Sequence, residues 1–236
     1  MFRRSSLFWL IIVSVSCVLS LQAKAQETGA KAIFHSGEGP TVMASSISDK
    51  PKTQKSSQVA KKEQYMGISY WINLVDANGK TTRVDPNRTF KSGERIQLTI
   101  ESNRDGYLYV LNVGSSGNSH MLFPNPGVVS NRVVAGLPHT VPFNNYMRFD
   151  NNPGEELVLL MLSPKPLGNL TPSTPAYGPL NNQQTQQYTQ VARAKGAKDI
   201  VLETDSYSAQ PATYVVAPVS SLNDKVLTMR IKLKHR

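Results

Sequence analysis

The sequence predicts an all-β fold: an antiparallel β-sandwich, immunoglobulin-like or an open barrel, with one short surface helix. Three observations carry that expectation. Apolar and polar residues alternate over short runs, most clearly where Ile96, Leu98 and Ile100 alternate with Gln97, Thr99 and Glu101. Turn clusters drawing on 15 Gly and 15 Pro separate those runs. Residues 183–198 alone read as a helix. Neighbouring strands joined by turns make antiparallel pairing the default, and no internal repeat is visible.

The 236 residues have room for one moderate domain with appendages. Residues 1–25 read as a signal peptide. Arg3 and Arg4 precede an apolar run over 7–15, and Ala23 and Ala25 place small residues at −3 and −1 of a cut near Ala25. The run is short for a membrane span, and Gln22 and Lys24 close it. Cys17, the single cysteine, lies inside this segment, and Ser14 stands where a lipobox has an aliphatic residue. Cleavage after Ala25 would leave no thiol, which excludes disulfides, a Cys nucleophile and Cys-ligated metal. The net charge is +10, and Arg3, Arg4 and Lys24 fall within a first 25 residues that hold no acid, so the remainder carries +7. A basic surface favours polyanions, and an exported chain meets those of the envelope first.

Residues 26–64 read as a flexible linker. Ile33, Val42 and Ile47 show neither a period of 2 nor one of 3.6, and Lys50, Lys52, Lys55, Lys61 and Lys62 make the stretch cationic. The β-sandwich domain is expected over 65–236. In its first strand Ile68, Tyr70, Ile72 and Leu74 share an apolar face, and Asn78-Gly79 supplies a turn. After the 96–100 strand, the turn 103–106 is expected to use Gly106 for a left-handed conformation. The next strand is apolar on both sides: Tyr107, Tyr109, Leu111 and Val113 line one face, Leu108 and Val110 the other, which suits the middle of a sheet. Residues 121–123 follow as a short strand, and 128–152 as short edge strands and loops. A second central strand spans 157–162. The helix at 183–198 has a thin apolar stripe through Tyr188, Val191 and Ala192. Strands at 200–202 and 213–216 precede a last one in which Leu227, Met229, Ile231 and Leu233 oppose Thr228, Arg230, Lys232 and Lys234.

Three separated motifs carry a family resemblance: Ser92-Gly93-Glu94 before a strand, Asp105-Gly106-Tyr107-Leu108-Tyr109-Val110, and Leu122-Phe123-Pro124-Asn125. In that order they resemble the bacterial domain of unknown function 4384 family, over about residues 65–167. The resemblance implies an extracytoplasmic β-sandwich core at 65–167 with an extension at 168–236. It brings no catalytic residues to carry over.

A search for chemistry gives little. His120, Asp105 and Ser115 can be drawn as a triad on paper, but Gly114-Ser115-Ser116-Gly117 is one residue short of a nucleophile elbow and lacks its following helix. There is no H-E-x-x-H, no phosphate-binding Gly-rich loop and no EF-hand spacing. Glu155 and Glu156 are adjacent on a strand and point to opposite faces. No enzyme activity and no cofactor are expected. Tyr65, Tyr70 and Trp71 would make a sugar platform only if exposed together, and alternation turns Tyr70 and Trp71 apart. Arg230, Lys232, Lys234 and Arg236 form a candidate anion-binding row, at ~6.6–6.8 Å intervals along a strand. Alternatively the row is a solvated face, or an edge whose lysines deter sheet-to-sheet pairing.

The expected function is therefore that of an exported, non-catalytic binding or assembly module of the bacterial cell envelope, periplasmic or at the cell surface, with an envelope protein as partner. The rival is a module that binds an anionic glycan or lipid surface through the basic C-terminal strand. Nucleic acid is not an expected partner of an exported chain.

Overall fold

The computed structural model describes residues 29–39, 62–114, 118–128, 130–167 and 177–236. The expected signal peptide with Cys17 and Ala25, the linker over 40–61, and Ser115 lie outside the described residues. Along the chain come helix α1 (Ala30–Ser36), then strands β1 (Tyr65–Val75), β2 (Thr81–Val84), β3 (Arg95–Ser102), β4 (Gly106–Val113) and β5 (Ser119–Phe123). Short strands β6 (Arg132–Val133), β7 (His139–Val141) and β8 (Met147–Arg148) precede the long β9 (Gly154–Ser163) and the short β10 (Gly178–Leu180). Helix α2 (Asn182–Ala194), β11 (Val201–Asp205), β12 (Ala212–Pro218) and β13 (Leu227–His235) complete the order.

These strands form two antiparallel sheets. The first runs β11-β12-β1-β3-β7, with β2 beside β1 and β8 beside β3. The second runs β10-β5-β4-β9-β13, with β6 beside β4. The arrangement is a sandwich. Alternation places its core: Ile68, Ile72, Ile96, Leu98 and Ile100 face inward from the first sheet, and Leu108, Val110, Leu160, Leu162 and Ile231 meet them from the second. The residues between them in sequence point outward, as a period of two requires.

The two doubly apolar strands, β4 and β9, are neighbours at the centre of the second sheet. Their outer face carries Tyr109, Leu111, Leu159 and Met161, and α2 covers it with Tyr188 and Ala192. Both faces of the sheet are thus buried, which is why neither strand shows clean alternation. Asn181 begins α2 through a capping box: its side chain accepts the Gln184 N–H at 2.8 Å, and the Gln184 side chain accepts the Asn181 N–H at 3.0 Å.

The C-terminal extension is integral to both layers. β12 pairs with β1 from Tyr65↔Pro218 to Tyr70↔Thr213, and β13 pairs with β9 from Leu227↔Leu162 to His235↔Gly154.

Two expectations need correction. The linker assigned to 26–64 contains α1, whose Ala30, Ile33 and Phe34 are buried against Tyr65 and Val216. The spacing i, i+3, i+4 is a helical face one turn long, too short to stand out as a period. Gly37, at φ 71°, closes the helix in the left-handed conformation. Gly106, expected to relieve a left-handed turn, has no positive φ. Space is its reason: a Cβ there would lie 2.5 Å from Met66 Cε and 2.9 Å from the Ser163 carbonyl oxygen. Gly79 and Gly93 do serve left-handed turns, at φ 79° and 85°.

Candidate binding surfaces

β13 presents the predicted basic row as the alternation implies. Arg230, Lys232 and Lys234 are exposed on the outer face of the second sheet, while Ile231 and Leu233 are buried in the core. Arg236 is exposed just past the strand end. The row is not a bare ladder. Lys232 Nζ lies 2.9 Å from Glu155 Oε1, and Glu155 also stands opposite Lys234 in the register. Backbone bonds tie the strand at both ends. The Phe90 N–H donates to the Lys234 carbonyl at 2.8 Å, the Arg236 N–H to the Phe90 carbonyl at 3.0 Å, and the Val226 N–H to the Lys195 carbonyl at 2.8 Å. β13 is thus an edge strand bonded at its two ends and guarded by lysines between them.

The β11 edge of the first sheet differs. β11 pairs with β12 on one side and with no described strand on the other. Its start is apolar on both faces. Leu202 stands opposite core residue Val215, yet it remains 49% exposed because the sandwich ends there. Val201 stands opposite Val216 on the outer face and is 38% exposed, and Ile200 beside it is 40% exposed. No lysine or proline interrupts β11. Its acidic residues are engaged with α1: the Lys31 N–H donates to Glu203 Oε2 at 3.0 Å, and Lys31 Nζ to Asp205 Oδ2 at 2.7 Å. That ion pair raises the pKa of Lys31 and lowers that of Asp205, chiefly through the hydrogen bond itself. Residues 200–202 were legible as a strand, but not as an open edge, because the place of a strand in its sheet depends on distant partners.

An open groove of about 830 Å³ runs beside α1 and the β3–β4 turn. Two of its charged groups are engaged within the fold. Arg104 donates from Nε to the Tyr65 carbonyl at 2.8 Å and also bonds the Gly37 carbonyl and Gln64. Asp105 accepts from Arg132 Nη2 at 2.8 Å and from the Ala135 N–H at 3.0 Å. Asp105, one member of the paper triad, is therefore a turn and ion-pair residue, and Ser115 lies outside the described residues.

The proposed aromatic platform divides. Tyr65 and Tyr70 are buried, whereas Trp71 lies on the outer face of the first sheet with the Arg83 guanidinium 4.0 Å from its ring centre. Four residues along β3 from Thr99, the residue opposite Trp71, register brings together two residues that the sequence keeps far apart: Arg95 on β3 stands directly opposite Arg148 on β8. Among the described residues no three His, Cys, Asp or Glu side chains are grouped to hold a metal ion. No described helix is long and apolar enough to cross a membrane.

No curated protein and no solved structure matches the chain. The motifs quoted above sit at the turn before β3, along β4, and at the end of β5, and a family model covers all three. Residues 89–166, from just before Phe90 to just past the end of β9, match the family described as Domain of unknown function (DUF4384).

Proposed function

We propose that this protein is an exported, non-catalytic binding module of the bacterial cell envelope that takes up an extended segment of a partner protein as an added strand on β11. The observation that carries the reading is the contrast between the two edges: β13 is bonded at its ends and lined with cations, whereas β11 has no described strand on its outer side and begins with the exposed apolar Val201 and Leu202. Unpaired edges template added strands, and natural sequences usually block them. An added strand would pair its backbone with β11 and cover Val201 on one face and Leu202 on the other. The N-terminal pattern of residues 1–25 supports export, and the engagement of Asp105 and Arg104 in the fold supports a role without chemistry.

A photo-crosslinking residue placed at Leu202 tests this in the producing cell. The expected result is one discrete protein adduct, absent when the crosslinker sits at exposed Gln186 and lost when Val201→Lys is added. Crosslinking that is diffuse, or indifferent to Val201→Lys, would contradict it.

The exposed row Arg230, Lys232, Lys234 and Arg236 favours a second reading, contact with an anionic glycan or lipid surface. It predicts envelope binding that falls steeply with salt and is lost in the triple alanine variant of Arg230, Lys232 and Lys234. Strand addition predicts neither.

A further inference from the structure

The outer face of the first sheet holds an arrangement that strand addition on β11 does not use. Arg95 and Arg148 face each other across the β3–β8 pair, and like charges directly opposite one another destabilise a sheet. Among the described residues neither guanidinium forms an ion pair with a carboxylate. Arg95 Nη2 donates to the Asp76 backbone carbonyl, and the guanidinium lies over the Tyr146 ring with Cζ 4.8 Å from its centre. Arg148 is exposed, with no hydrogen bond or ion pair among the described residues.

Two of the carboxylates near them, those of Asp76 and Glu94, are bonded within the fold. Asp76 Oδ1 accepts the N–H groups of Asn78 and Lys80, each at 2.9 Å. Glu94 accepts from Arg88 Nη2 at 2.8 and 3.0 Å and from the Lys91 N–H at 2.9 Å. Between these groups lies an open groove of about 540 Å³, walled by Asp76, Gly93, Arg95, Tyr146 and Arg148. Two guanidiniums lining one groove, with Glu94 paired to Arg88 and Asp76 bonded to backbone N–H groups, match the oxygens of one carboxylate or phosphate group. Tyr146, 40% exposed at the rim, offers apolar ring surface beside that anion.

We propose that Arg95 and Arg148 form an anion-binding site for a sugar unit bearing a carboxylate or phosphate, the oxyanion held between the guanidiniums and the ring set against Tyr146. The like-charge pair then persists because its counter-charge is the ligand.

The test titrates the purified protein, at low salt, with glucuronate, glucose 6-phosphate, glucose and inorganic phosphate. Binding of an acidic sugar but not of glucose is expected. Glucuronate alone would assign a carboxylate ligand, and glucose 6-phosphate alone a phosphate ligand. Arg148→Gln should weaken binding about tenfold or more, as expected for the loss of a charge-assisted bidentate contact. No acidic sugar bound at about 10 mM, or inorganic phosphate bound as tightly as glucose 6-phosphate, would overturn the proposal. A second measurement needs no ligand. Arg148→Glu places a carboxylate opposite Arg95, so it should raise the melting temperature of the free protein while abolishing binding. A fall in melting temperature would show that the facing arginines carry no strain, and would overturn the proposal.

Discussion

Tyr109 offers the sharpest test of the three-layer packing. It lies at the centre of β4, fully buried, with its ring on the side covered by α2 and 6.3 Å from the ring of Tyr188. Its hydroxyl accepts the backbone N–H of Leu167 at 3.0 Å, a bond that ties the segment after β9 to the sheet. Tyr109→Phe keeps the ring and removes that acceptor, leaving a buried amide unpaired at a cost of about 1–3 kcal/mol. Tyr109→Ala also empties the space between β4 and α2 and should cost about 3–5 kcal/mol. Urea unfolding followed by tryptophan fluorescence reads both, since Trp71 reports on the first sheet and the cost should appear as a shifted midpoint of one cooperative transition. A Tyr109→Phe variant as stable as the parent would mean that Leu167 finds water or another acceptor. A Tyr109→Ala cost below about 1 kcal/mol would mean that α2 does not pack on this sheet.

Three further outcomes follow from the same geometry. Gly106→Ala should destabilise by about 1–3 kcal/mol through overpacking, because Met66 can move but the Ser163 carbonyl belongs to the sheet; chemical unfolding that shows no change would refute the close approach. Burial raises the Tyr188 pKa from the ordinary tyrosine value of 10.0 to about 12. Its neutral form is therefore favoured in the fold, so the stability it lends is complete below the unfolded value and is lost as pH rises from there through about 12. Stability measured across that range should fall less in Tyr188→Phe than in the parent, and parallel curves would contradict the burial. His235 is buried with neither ring nitrogen hydrogen-bonded among the described residues, its ring tilted against Phe149 with centres 5.1 Å apart and Asp150 3.6 Å away. His235→Phe should leave stability unchanged or raise it by about 1 kcal/mol, whereas a loss of that size would show that the imidazole contributes a polar contact that phenyl cannot replace.

The sequence disclosed local pattern and withheld what distant pairing decides. The alternating faces of β1, β3 and β13 were legible because one face of each is core and the other solvent or polar cover. The doubly apolar β4 and β9 were legible as central strands, although not that α2 provides their second cover. Ala30, Ile33 and Phe34 escaped notice because one turn of helix leaves too few positions to establish a period. Gly106 was assigned to a turn because a glycine needed for space looks like one needed for φ. Arg95 and Arg148 lie at opposite ends of a stretch containing four other strands, and only the β3–β8 register brings them face to face. The basic row on β13 was read correctly as a row, while its partner Glu155 and its bonded ends came from neighbours that no local pattern reveals.

Amide hydrogen exchange across residues 200–205 of the isolated protein tests the open edge most directly. An edge strand bonded on one side alone should show alternating protection, with every second amide exchanging quickly while those of β9 stay protected throughout. If all β11 amides were as slow as those of β9, another segment would already occupy that edge, and strand addition there could not be how this module binds.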